Sequence, residues 1–138
     1  MTDAPAQSAS GDFDLSGWPV ARYRMPERVP DAEAEARVAE FDALLARNER
    51  FVLVFHGPEM PKDSPRFMRA YKTWFGATKE TQKRLCAGAI RVEPDAERRK
   101  SFTMKVLSLM NKVFMPYPYT VVGSEAEAQA QAKAWLAA

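Results

Sequence analysis

The chain is poor in the residue types that carry metal and redox chemistry. Of its 138 residues one is cysteine, Cys86, and one is histidine, His56. A single thiol excludes an internal disulfide, and one thiol with one imidazole falls short of a structural zinc site. No metal and no cofactor are expected. Glycine is also sparse, at six residues. Gly57 stands alone, and neither GxGxxG nor GxxxxGK[ST] occurs, which disfavours ATP or NAD chemistry. Long apolar runs are missing too. Nothing approaches the roughly 18 residues that cross a bilayer, and Met1-Thr2-Asp3-Ala4-Pro5 has neither the basic nor the apolar region of a secretory signal. A cytoplasmic protein that does not span a membrane is the expectation.

What is present is enough for one folded domain. Apolar residues make up 46% and charged residues 28%, a balance that supports a single core. The net charge of +2 conceals an uneven distribution: residues 1–50 carry ten acids against six bases, and residues 62–112 carry thirteen bases against five acids. A basic stretch of this kind is either a solvated surface or an attractor of nucleic acid, anionic lipid or an acidic protein.

Hydrophobic periodicity then orders the elements. Residues 1–12 show none and read as a disordered tail, which leaves residues 13–138 as the domain. Phe13-Asp14-Leu15 and residues 20–25 alternate across Ser16-Gly17 as two short strands or a turn into one. Pro30-Asp31 opens a helix with Asp31 as N-cap and Val38, Phe41, Leu44 and Leu45 on its buried stripe. Residues 51–55 are continuously apolar, as in a central strand covered on both faces. Ser64-Pro65 supplies an N-cap and an N1 proline for a basic helix running to Arg84, with Phe67, Tyr71, Trp74 and Thr78 on one face and Gly76 weakening it midway. Residues 87–92 form the next strand, whose small residues allow close approach of a helix. A helix over 97–114 carries Phe102, Val106, Leu109, Met110 and Val113 as its main stripe, with Met104, Leu107 and Met115 widening the apolar surface. Residues 119–122 make the last strand. Ser124 and Glu127 form a capping box for the final helix, anchored by Trp135 and Leu136. The implied fold is a single α/β domain with a mixed sheet of four or five strands flanked by helices.

Candidate chemistry is scattered over this frame. His56, at the end of the central strand, sits where open α/β sheets often bind ligands. Cys86 follows Lys83-Arg84-Leu85, and neighbouring cations activate a thiol, although a helix-to-strand junction more often packs it inertly. Ser64 at a helix N-terminus would tolerate a phosphate, with Lys62, Arg66 and Arg69 to pair it. Tyr71, Trp74 and Phe75 lie on a basic helix, but at a spacing that fits a core stripe better than a stacking platform, so nucleic acid is an unfavoured partner. Arg98, Arg99 and Lys100 flank the wide apolar face of the next helix, the combination that an anionic ligand or membrane surface attracts.

Two blocks carry a resemblance: Leu85-Cys86-Ala87-Gly88-Ala89-Ile90-Arg91-Val92, and Pro116-Tyr117-Pro118-Tyr119-Thr120-Val121-Val122 leading through Glu125-Ala126-Glu127 to Ala134-Trp135-Leu136. With the strand-helix order, they are similar to blocks of small bacterial proteins of the STAS superfamily, SpoIIAA-like branch. The resemblance spans residues 18–136 and implies a non-enzymatic regulatory module, switched by phosphorylation of a serine in an Asp-Ser pair before a helix. Asp63-Ser64 occupies the corresponding place, followed here by Pro65-Arg66 where the family has Ser-Gly or Gly.

The expectation is therefore a STAS-like protein-interaction module that works through Asp63, Ser64, Arg66 and Arg69 and pairs with another protein or with itself as a homodimer. The alternative is a small-molecule or lipid-surface binder using the 98–115 helix, with His56, Trp74, Cys86, Arg98 and Arg99 as ligand candidates. An enzyme built on His56 or Cys86 has no identifiable partner groups.

Overall fold

A computed structural model describes residues 12–112 and 116–138, without the side chains of Val106 and of residues 108–112. It contains one five-stranded mixed sheet and five α-helices. In chain order these are β1 (Phe13–Asp14), β2 (Val20–Arg24), a 3-10 turn (Asp31–Glu33), α1 (Ala34–Ala46), β3 (Phe51–His56), α2 (Pro65–Ala77), α3 (Lys79–Leu85), β4 (Cys86–Val92), α4 (Ala96–Lys112), β5 (Tyr119–Val122) and α5 (Glu125–Ala137). The strands lie in sequence order. β1 pairs antiparallel with β2, and β2, β3, β4 and β5 run parallel.

β3 is the middle strand, and its run of apolar residues divides between two cores because side chains alternate across a sheet. Phe51, Leu53 and Phe55 face one side with Ala21, Tyr23, Phe41, Leu44 and Ala89. Val52 and Val54 face the other, with Val20, Ile90 and the alanines Ala128 and Ala132 of α5. A third cluster, Val29, Ala34, Val38 and Phe67, fastens α1 to the start of α2.

Several boundaries differ from the expectation. Asp31 does not cap α1; it begins the 3-10 turn, and α1 starts at Ala34 with Glu33 before it and no side-chain cap. The buried stripe of α1 is as expected, with Ala34 added. The basic helix is two helices. At Thr78 the backbone leaves helical geometry, the Thr78 hydroxyl donates to the Trp74 carbonyl at 2.8 Å, and the Gln82 amide donates to the Phe75 carbonyl at 3.1 Å. Such side-chain bonds to the preceding turn compete with the helical ladder and break it.

Of the expected tail, residues 1–11 lie outside the described residues; Asp12 does not dangle, since its carboxylate pairs with Arg37 at 2.7 Å and its carbonyl accepts from the Arg24 N–H at 2.8 Å. On α4, Phe102 is buried while Met104 and Leu107 are 64% and 54% exposed. The other residues expected along α4 lie outside what is described, Val106, Leu109 and Met110 by their side chains and Val113 and Met115 altogether. The capping box forms as expected: the Ser124 hydroxyl accepts from the Glu127 N–H at 3.1 Å, and the Glu127 carboxylate reaches back to the Gly123 N–H at 3.0 Å.

Candidate functional site

The described residues cover the sheet face that carries Phe55 only in part. α2 leans on α1, with Tyr71 edge-on to Phe41 at 5.1 Å and Trp74 against the same ring at 5.8 Å. This tilt leaves Tyr71 and Phe75 half-buried, and Phe67 is the one fully buried residue of α2. Between α2 and the sheet a cleft of about 820 Å³ remains, within the roughly 300–1,000 Å³ of small-molecule sites. Phe55 and Tyr119 form its floor, stacked at 6.5 Å. Phe67, Tyr71 and Phe75 form one wall, with Phe75 edge-on to Tyr117 at 6.4 Å. Met25, Met60 and Met68 complete the apolar lining, and methionine adapts readily to the shape of what it touches.

The lip is the loop between β3 and α2, and it is tied down at both ends. Gly57 opens it at φ +85°, where an added Cβ would also press within 2.9 Å of the Met25 carbonyl oxygen. Glycine alone meets both conditions without strain. The carbonyls of Gly57 and Pro58 accept from the two terminal nitrogens of Arg91 at 2.8 and 3.0 Å. Arg91 is 3% exposed, and its guanidinium lies 4.8 Å over the Phe102 ring. A buried cation without a carboxylate is tolerated only where dipoles and an aromatic face replace water. At the other end the Ser64 hydroxyl donates to the Lys62 carbonyl at 2.7 Å and accepts from the Val29 N–H at 2.8 Å. The loop therefore carries Glu59 and Met60 to the cleft on fixed supports.

Polar groups around the cleft are nearly all donors. Arg69, Lys72 and Lys79 line its edge. Glu59, its one lining carboxylate, is held by Lys105 at 2.9 Å. Burial holds the phenols of Tyr71, Tyr117 and Tyr119 above their ordinary range, with Arg91 opposing this at Tyr119. All three stay protonated and uncharged at neutral pH.

No family model, curated protein or solved structure matches the chain.

The residues singled out by sequence are not gathered at this cleft. Arg69 reaches it, as do Tyr71 and Phe75 from the unfavoured stacking platform. Asp63 is exposed at φ +48°, a conformation that aspartate tolerates better than most residues. Ser64 holds the N-cap position of α2 with Pro65 following, but its side chain makes no capping bond and is 3% exposed. Arg66 pairs with Glu35 at 2.8 Å on the surface. Trp74 donates to Asp42 at 2.9 Å and packs on Phe41, so it braces α1 against α2.

His56 projects to the opposite face of the sheet, where its Nε2 lies 3.0 Å from Glu125, which also binds Arg22 at 2.7 Å. Burial outweighs the attraction of Glu125, and Arg24 and Arg22 repel a second cation, so the imidazole is held below its usual range. Neutral at pH 7, it donates an ordinary hydrogen bond. Cys86 is buried in the core, and burial pushes its thiol up to about 12. A thiol so protonated is a poor nucleophile. Arg98 stands 3.6 Å from Glu93, and Arg99 donates to the carbonyls of Glu93 and Pro94 at 2.9 and 3.1 Å. Both brace the turn into α4.

Among the described residues no three His, Cys, Asp or Glu side chains converge, and no helix is long and apolar enough to cross a membrane.

Proposed function

We propose that this chain is a non-catalytic binding module that holds a small, largely apolar molecule in the cleft beneath α2. The observation that carries the reading is the open aromatic wall. Tyr71 and Phe75 stand half-exposed and line the same cleft as Phe55 and Tyr119. Apolar surface left wet forfeits about 25 cal/mol per Å², and a ligand that covers it recovers that energy. This is the small-molecule alternative read from the sequence, moved from α4 to α2.

The STAS-type regulatory reading is the second proposal. It is supported by the position of Asp63-Ser64, directly before α2 and after the central strand. Weighing against a phosphorylation switch, the Ser64 hydroxyl is buried and engaged as both donor and acceptor, so a kinase would reach it only after the loop opened. A partner surface on α4, through the exposed Met104 and Leu107, is compatible with either reading.

Titration with N-phenylnaphthylamine, a neutral probe that brightens in apolar surroundings, tests the cleft. Saturable one-site binding is expected, weakened about tenfold by Phe75→Ala, which is about 1.4 kcal/mol. Phe75 is half-exposed, so the variant should still fold. Binding that does not saturate, or that ignores Phe75→Ala in a folded protein, would refute the reading.

A further inference from the structure

We infer that the molecule held in the cleft is an amphipathic anion, with an apolar body on Tyr71 and Phe75 and a carboxylate or phosphate head at Arg69, Lys72 and Lys79. This rests on the cleft being a binding site and adds the class of ligand.

Two independent observations converge. The first is the charge of the rim. Arg69, Lys72 and Gly76 fall three and four residues apart on one stripe of α2, and Lys79 continues the edge on α3, all four lining the cleft. Among the described residues neither Lys72 nor Lys79 has an ion-pair partner. Arg69 acts on Glu35 through its charge alone, and Arg66 holds that carboxylate at 2.8 Å. Glu59, across the cleft, is neutralised by Lys105. The phenols add donors and no negative charge. An anion therefore meets cations that no ion pair occupies among the described residues, a cation is repelled by them, and a neutral ligand gains at most an uncharged hydrogen bond from the rim.

The second observation is Gly76. Its backbone is not in the left-handed region, and an added Cβ would meet no atom within 4 Å. Neither conformation nor packing within the protein calls for glycine there. Yet Gly76 is the penultimate residue of α2, where glycine still costs a fraction of the about 1 kcal/mol that it costs in a helix interior relative to alanine. It sits between Lys72 and Lys79 on the cleft edge, where a missing side chain leaves a notch. A chain passing from the aromatic wall out to the cations fits through that notch, and the helix gives up stability to keep it open.

Displacement of N-phenylnaphthylamine by dodecanoate, dodecanol and dodecylamine, each below its micelle concentration, separates sign of charge from apolarity. Dodecanoate should displace the probe at about tenfold lower concentration than dodecanol, which is about 1.4 kcal/mol, and dodecylamine should be weakest. The triple variant Arg69→Gln/Lys72→Gln/Lys79→Gln should erase the preference for dodecanoate and leave dodecanol unchanged. Gly76→Leu should melt no lower than the parent and yet bind dodecanoate several-fold more weakly, while Gly76→Ala, with a smaller side chain, should lose less. Equal displacement by dodecanoate and dodecanol, or a preference that survives in the triple variant, overturns the anion inference and leaves the apolar cleft standing. A probe that binds but yields to none of the three also overturns the inference alone, and a probe that fails to bind removes both. Dodecyl phosphate against dodecanoate then distinguishes a phosphate head from a carboxylate.

Discussion

Gly88→Ala should be among the most damaging single-methyl additions in this protein. Gly88 lies in β4 opposite Val52, and its α-carbon faces α5. A Cβ built there would overlap the six-membered ring of Trp135 at Cε3 and Cζ3, so the indole or the backbone that carries it must shift. Over-packing a well-filled site costs typically about 1–3 kcal/mol. Complete expulsion of the indole sets an upper bound of about 3–5 kcal/mol, the range for deleting a buried Trp side chain. Trp135 is half-buried, so the expected cost lies near the middle of the first range, about 2 kcal/mol, which lowers the melting temperature of a chain this size by roughly 5–10 °C. Urea denaturation followed by far-ultraviolet circular dichroism measures it in Gly88→Ala, Trp135→Ala and the double variant. In the Trp135→Ala background the added methyl meets empty space, and its cost should shrink to a few tenths of a kcal/mol, giving a coupling of about 1–2 kcal/mol. An equal cost in both backgrounds would mean that Gly88 serves the backbone of β4 and not the approach of α5, and the steric account would be wrong.

Ser64→Ala should destabilise by about 1–3 kcal/mol, because the buried Val29 N–H loses its acceptor, and Ser64→Asp should cost more by burying a charge; thermal melts compare them, and a Ser64→Asp protein as stable as the parent would restore the phosphorylation switch. His56, the single histidine, should titrate below 6.5 by NMR and lower still in Glu125→Gln, since the carboxylate is what pulls its pKa up against burial. The folded chain binds that proton less tightly than the unfolded chain does. Stability is thus full above pH about 6.5 and falls as pH drops toward the lowered folded value, and a His56 that titrates above 6.5 would contradict the geometry. Glu125 acts in the same direction at lower pH. Arg22 first, and then His56, hold its carboxyl below 4.5, so its contribution is complete above that value and fades as pH falls through the folded one; being half-exposed, the pair adds only a fraction of a kcal/mol.

The strands were legible because burial on two faces leaves a plain mark. Phe51-Val52-Leu53-Val54-Phe55 has no polar residue, and that reads as a central strand covered on both faces without reference to anything else in the chain. The Gly88 contact was legible for a related reason, since small residues in an otherwise bulky strand call for a close neighbour. The cleft was not legible. Tyr71, Trp74 and Phe75 recur at a helical spacing that is the same whether the face is packed or open, and periodicity records which residues share a face but not what covers it. Arg91 was hidden differently. Within Ala89-Ile90-Arg91-Val92 it reads as the polar member of an alternation, and its burial follows from the carbonyls of Gly57 and Pro58, more than thirty residues earlier. Ser64 had a local signal that misled. Ser-Pro before a helix is the pattern of a cap, but the hydroxyl is claimed by Val29 from a distant loop.

Among the described residues the two faces of the sheet are covered by opposite means, and this explains the cleft on the face that carries Phe55. α5 presents Ala128 and Ala132 to Val52, Val54 and Ile90, and small residues bring a helix close enough to seal the sheet, with Trp135 over Gly88 filling what is left. The other face meets bulky aromatic side chains from α1 and α2, which keep the helices away from the strands. Phe41 takes up Tyr23, Tyr71 and Trp74 at once, so α2 is drawn toward α1 and away from β4 and β5. The space that opens is floored by Phe55 and Tyr119, and Arg91 cannot fill it because its guanidinium is spent on the loop and on Phe102. A closed cleft would need a larger residue at Gly76 or an α2 free of Phe41. The packing that makes α1 and α2 a firm pair is therefore the same packing that keeps the site open, and a variant such as Phe41→Ala should loosen α2 and weaken cleft binding together, although Phe41 touches no ligand.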